Sequence, residues 1–132
     1  MRKSLWWVVV LASGCELLPG GGGGTGGGGG GNGVLFSKGY VFIRRDDRNV
    51  YLADENDLQL IARLTTSGSA RHPSLSPDGR RVVYSRQLGA QSELATVAVT
   101  GGASTTVLSS SDQVKNLRNP IYSRDGSKIV FA

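Results

Sequence analysis

The chain has 132 residues and a mass of 13.9 kDa, room for one modest domain and too little for a multidomain enzyme. Its single cysteine excludes an internal disulfide and a multi-cysteine zinc site. The formal charge of +5 falls to +3 once Arg2 and Lys3 are assigned to a leader, because thirteen cations then face ten acids. No basic run exceeds two residues, so no nucleic-acid footprint is expected.

Met1-Arg2-Lys3 opens the chain with positive charge, and Leu5 to Ala12 follows as an apolar run of eight. A bilayer-spanning helix needs about 20 such residues, whereas the hydrophobic region of a secretory signal commonly has about 7–15. Small residues Ser13 and Gly14 lead directly into Cys15. Leu11-Ala-Ser-Gly-Cys15 resembles the lipobox of bacterial lipoproteins, with Ala12 where that motif usually carries a large aliphatic. Small side chains suit an extended segment in a peptidase groove, and the thiol can take a diacylglyceryl group through a thioether. The resemblance implies a signal peptide over residues 1–14, cleavage between Gly14 and Cys15, and a lipid bilayer as the partner of acylated Cys15. Two or more acyl chains give stable anchoring where one gives marginal binding. By the same resemblance, Glu16 in place of an aspartate favours the outer over the inner membrane of the cell envelope.

Between Gly20 and Gly33, 12 of 14 positions are glycine, interrupted by Thr25 and Asn32. Such a tract buries no apolar surface and cannot offset the entropy of ordering, so residues 15–33 read as a lipidated cysteine plus a flexible linker. A linker of this composition has a typical span of about 20 Å and a limit of roughly 45 Å. No Gly-Lys-Ser/Thr closes the tract and no strand precedes it, which argues against a phosphate-cradling loop.

Residues 34–132 form the folding part, and they repeat. Pro73-Ser-Leu-Ser-Pro77-Asp78-Gly79-Arg-Arg-Val-Val-Tyr84 aligns with Pro120-Ile-Tyr-Ser-Arg-Asp125-Gly126-Ser-Lys-Ile-Val-Phe131, every position 47 apart. Carried backward without a gap, the register matches Arg71 to Arg118, Ile61 to Leu108 and Val50 to Val97. Repeats of about 40–50 residues holding several strands indicate a β-propeller. Short β-branched and aromatic runs separated by turn signals agree: Tyr40–Ile43, Val50–Ala53, Leu60–Ala62, Val82–Tyr84, Leu94–Val99, Val107–Leu108 and Ile129–Phe131. Several are apolar throughout, as expected of strands buried on both faces. One full blade is expected as Pro73–Ser76, Arg81–Arg86, Leu94–Val99 and Thr105–Ser109. The fold class is therefore all-β, an incomplete propeller of about two four-stranded blades.

In Ser76-Pro77-Asp78-Gly79 the proline presets φ, the aspartate bonds nearby amides, and the glycine supplies a positive φ; Asp125-Gly126 repeats the last two. This box, with the following strand and Thr100-Gly-Gly, resembles the WD-like repeat of TolB-type β-propellers over residues 40–132. The resemblance implies a six-bladed propeller with a protein-binding role in the bacterial envelope. Related repeats build the propeller of prolyl-oligopeptidase-type peptidases, so an enzyme fragment whose hydrolase domain is missing is the competing reading. Propellers close with about 4–8 blades, and about two here predict a truncated array with exposed apolar edges.

Catalytic patterns are absent from the sequence. His72 is the sole histidine and its repeat partner is Asn119, which suits a strand start better than a triad. No Gly-x-Ser-x-Gly elbow occurs. Asp54-Glu55-Asn56-Asp57 lacks the glycine and terminal glutamate of a calcium loop and reads as a solvated turn. Pro77, Asp78, Gly79, Asp125 and Gly126 are expected to shape turns, not to react. No enzyme activity, cofactor or metal is expected.

Overall fold

A computed structural model describes residues 7–10, 39–55 and 61–132. The described residues form ten strands in three antiparallel sheets, none closed, and contain no helix. The first sheet joins β2 (Gly39–Ile43), β3 (Val50–Asp54) and β4 (Ile61–Arg63). The second runs in chain order through β5 (Ala70–Leu75), β6 (Arg81–Leu88), β7 (Gln91–Ala98) and β8 (Thr105–Ser109). The third places β10 (Lys128–Phe131) between β9 (Ile121–Tyr122) and β1 (Trp7–Val10).

The four-strand sheet is the centre of the molecule because both its faces are covered. Side chains alternate across a strand, so Val82 and Tyr84 point one way and Val83 the other. Val82, Tyr84, Ala95 and Val97 pack with Val50, Leu52 and Leu64 of the first sheet region. Val83 and Leu94 pack on the opposite face with Leu117, Ile129 and Phe131. This two-sided burial explains the continuous apolar run Val82-Val83-Tyr84, which a half-exposed strand would not carry.

Most expected strands lie within a residue or two of the observed ones. β6 runs two residues past the expected Arg86, because Ser92 and Gln91 of β7 pair with Gln87 and Leu88. Gly89 has φ 61 at the first position of the two-residue β6–β7 connection, the conformation a tight primed hairpin requires.

The repeat register survives in one part of the unit and drifts in another. Ser74 pairs with Val83 and Leu75 with Val82, and 47 positions on Ile121 pairs with Val130 and Tyr122 with Ile129. Upstream, Val50 begins β3 whereas Val97 is next to last in β7, so the ungapped match is not a structural one there. The β2–β3 connection takes six residues, 44–49, and the β6–β7 connection two, 89–90. The β8–β9 connection, residues 110–120, is in turn longer than β4–β5, residues 64–69. These differences nearly cancel, and surface connections tolerate them.

β1 is the element the sequence reading did not place in the fold. Trp7 lies opposite Phe131, Val8 opposite Val130, Val9 opposite Ile129 and Val10 opposite Lys128. In the second sheet the equivalent side of β6 is occupied by β7. A run of β-branched residues is well suited to fill that position. Cys15, Gly14 and the glycine-rich linker lie outside the described residues, as do Asn56 and Asp57.

Candidate functional site

The predicted turn residues converge on two copies of one hydrogen-bonded box. In the β5–β6 turn, Ser76 N donates to Arg81 O at 2.8 Å and Gly79 N to Ser76 O at 2.9 Å. Asp78 Oδ1 accepts from Arg80 N at 3.1 Å, and Ser76 Oγ accepts from Arg81 N at 2.9 Å. In the β9–β10 turn the same bonds run from Ser123 N to Lys128 O, 2.9 Å, and Gly126 N to Ser123 O, 2.9 Å. There Asp125 Oδ1 accepts from Ser127 N at 3.1 Å and Ser123 Oγ from Lys128 N at 3.0 Å. Gly79 and Gly126 have φ 69 and 72. Ser76 Oγ donates to Asp78 Oδ1 at 2.5 Å and Ser123 Oγ to Asp125 Oδ1 at 2.5 Å, so each carboxylate bonds within its own turn. Asp125 also accepts from Ser127 Oγ at 2.8 Å. The Ser123 hydroxyl first, then Ser127, hold its carboxyl down at about 2.

A second repeated feature sits at the other end of the same hairpins. His72 and Asn119 have φ 48 and 50, left-handed values at residues that each precede a proline. Left-handed backbone at a residue with a side chain carries strain. In the second sheet it coincides with a register shift between Arg71 and Ser74, a bulge that redirects the side chains around it. His72 Nδ1 stands 3.2 Å from Ser85 Oγ, and that hydroxyl in turn reaches the Arg71 carbonyl at 3.2 Å. With the hydroxyl proton on the carbonyl, Nδ1 carries the histidine proton and donates to Ser85.

His72 opens onto a cavity of about 360 Å³ between the second sheet and the β8–β9 connection. Arg71, Arg86 and Arg118 line it, with amide side chains at Gln87 and Asn116. Partial burial, then the charges of Arg71 and Arg118, push the His72 ring below its ordinary value. Sequence reasoning aligned Arg71 with Arg118 but did not bring them to one cavity. The signal available was the pairing of a basic residue with a left-handed pre-proline residue in both repeats. Another cavity, about 390 Å³, lies between Arg63, Thr65 and Ser67 on one side and Tyr84 and Ser104 on the other. The Tyr84 hydroxyl donates to Ser104 Oγ at 2.8 Å at its edge.

Two groups of charged side chains find partners within their own hairpins. Arg86 is held by Glu93, with Nε and Nη2 at 2.8 and 2.7 Å from Oε2. In the β2–β3 hairpin, Asp47 accepts from the Tyr51 hydroxyl and from Asn49 N, and Arg44 covers the Tyr51 ring at 5.3 Å from its centre. No three metal-ligating side chains cluster among the described residues. No protein-family model matches the chain, and no curated protein matches it at a significant level.

Proposed function

We propose that this protein is a membrane-anchored envelope lipoprotein whose β-sheet body is a set of TolB-like propeller blades acting as a non-catalytic protein-binding module. The observation that carries the reading is the doubled turn box. Two successive hairpins repeat the same backbone and side-chain hydrogen bonds 47 positions apart. They belong to neighbouring sheets that share an apolar interface through Val83, Leu94, Ile129 and Phe131. Face-to-face stacking of small antiparallel sheets is the construction principle of a propeller blade array. Recognition in such an array falls to the loops and sheet edges, while the repeated turns supply stability.

The anchor reading rests on the order of charge, apolar run, small residues and cysteine in the first fifteen positions. Metabolic labelling with palmitate tests it: the wild-type chain takes label and sediments with membranes, and Cys15→Ser takes none and leaves the membrane fraction. Unchanged fractionation of Cys15→Ser without label in either form sinks the anchor. Crystallographic determination of the native product tests the propeller, and sheets that do not stack around a common axis sink it.

A further inference from the structure

The 360 Å³ cavity holds an imbalance that the fold itself does not resolve. Three guanidinium side chains and the only histidine of the chain line it, and no carboxylate does. Arg86 is neutralised by Glu93. Arg118 Nε donates to the Asn116 carbonyl at 3.3 Å, and the rest of its fork has no bond among the described residues. Arg71 and Arg118 form no ion pair among the described residues. Two like charges thus border one partly enclosed space beside an imidazole whose protonation both oppose.

The imbalance is built by the repeat, with both arginines exposed to solvent. Arg71 and Arg118 occupy the same position of consecutive units, each followed by a residue at φ near 50. Strained backbone of this kind persists where the surrounding structure over-determines it, and it concentrates at ligand clamps. An arginine fork matches the paired oxygens of a carboxylate or phosphate and is weakly hydrated, so such a ligand relieves the repulsion directly.

We propose that this cavity is an oxyanion-binding site, in which a carboxylate or phosphate group is held between Arg71 and Arg118, with His72 and Asn116 at its margin. The site stands independently of the lipid anchor and of the closure of the propeller. The same chemistry is supplied by free phosphate or by the acidic side chains of a peptide.

The sole histidine makes the test direct. The His72 ring proton gives one isolated resonance in the full chain held in detergent micelles at fixed pH. Inorganic phosphate, a glutamate-rich peptide and sodium chloride are titrated at matched ionic strength. The expected result is a saturating displacement with phosphate or peptide that chloride does not reproduce. Arg71→Gln and Arg118→Gln each weaken it by about tenfold or more, the worth of one charge-assisted contact. Arg71→Lys keeps the charge, loses the fork and falls between. Arg124→Gln, on the exposed β9–β10 turn, binds as the wild type does. Saturation by peptide at lower concentration than phosphate assigns a peptide carboxylate as the ligand, and the reverse order assigns the free ion. A response equal to that of chloride overturns the site, and so does unchanged affinity in both glutamine variants. Amide spectra matching the wild type establish that the variants are folded.

Discussion

Pro77 lies against Gly126: a Cβ placed on Gly126 would stand 3.7 Å from Pro77 Cδ, an ordinary van der Waals contact. The turn box of one unit therefore rests on the turn box of the next. The proline that the second box lacks, replaced there by Arg124, is the residue that the first uses as a seat. Gly79 has open space around the equivalent point, with nothing within 4 Å.

Substitution at these glycines separates conformation from contact. Gly79→Ala forces an L-residue into φ 69 without a clash, and we expect a loss of about 1 kcal/mol in urea unfolding. Gly126→Ala meets Pro77 only at ordinary distance and should cost about the same. A loss at Gly126 several times that at Gly79 would show that the two turns cannot part.

The Asp125 carboxyl gives a pH signature. Its value in the fold is about 2, from an ordinary 3.8, so the charged form is the one the turn prefers. The contribution is complete above about pH 4 and is lost as pH falls toward 2. Asp78 is displaced the same way, chiefly by the Ser76 hydroxyl. Carbon-detected titration should place the Asp125 midpoint near 2 in the wild type and closer to 3.8 in Ser123→Ala. An unmoved midpoint in that variant would refute the serine as the leading cause.

Tyr122 carries a buried hydroxyl with no hydrogen-bond partner among the described residues, and burial raises its pKa, opposing ionisation. Its counterpart one repeat earlier is Leu75, an apolar side chain. Tyr122→Phe removes the unmatched group and keeps the ring, so stability should hold or rise by up to about 1 kcal/mol. Differential scanning calorimetry checks this, and a clear fall in the midpoint would mean that the hydroxyl has a partner after all.

Leu94 is fully buried between the second sheet and Leu117, Ile129 and Phe131. Leu94→Ala should cost about 2–5 kcal/mol through lost transfer energy and a residual cavity. Ile61, 53 % exposed, should tolerate alanine within about 0.5 kcal/mol. Urea midpoints for the pair decide whether the interface between sheets, or mere apolarity, stabilises the chain.

What could be read in advance depended on how local the cause was. The Asp-Gly turns were legible because proline, aspartate and glycine act on backbone within four or five positions of themselves. Residues 105–109 matched their strand for a related reason, a β-branched run between turn signals. Gln87 and Leu88 lie beyond the expected strand end at Arg86 and are strand because Ser92 and Gln91 face them. The drift between Val50 and Val97 was invisible because changes in two connections nearly cancel in the spacing. The basic cavity escaped for a different reason: Arg71 and Arg118 reach it because the β8–β9 connection packs on the second sheet, which no local window contains.

Trp7 and Phe131 face each other across 124 positions of chain (131 minus 7). Closing so large a loop carries an entropic cost that must be met before the pairing returns anything, which places β1 among the last elements to join. At ribosomal rates the segment waits on the order of ten seconds for its partner strand to be made. Throughout that interval Trp7–Val10 has no partner strand, and cleavage after Gly14 would leave that side of β10 bare.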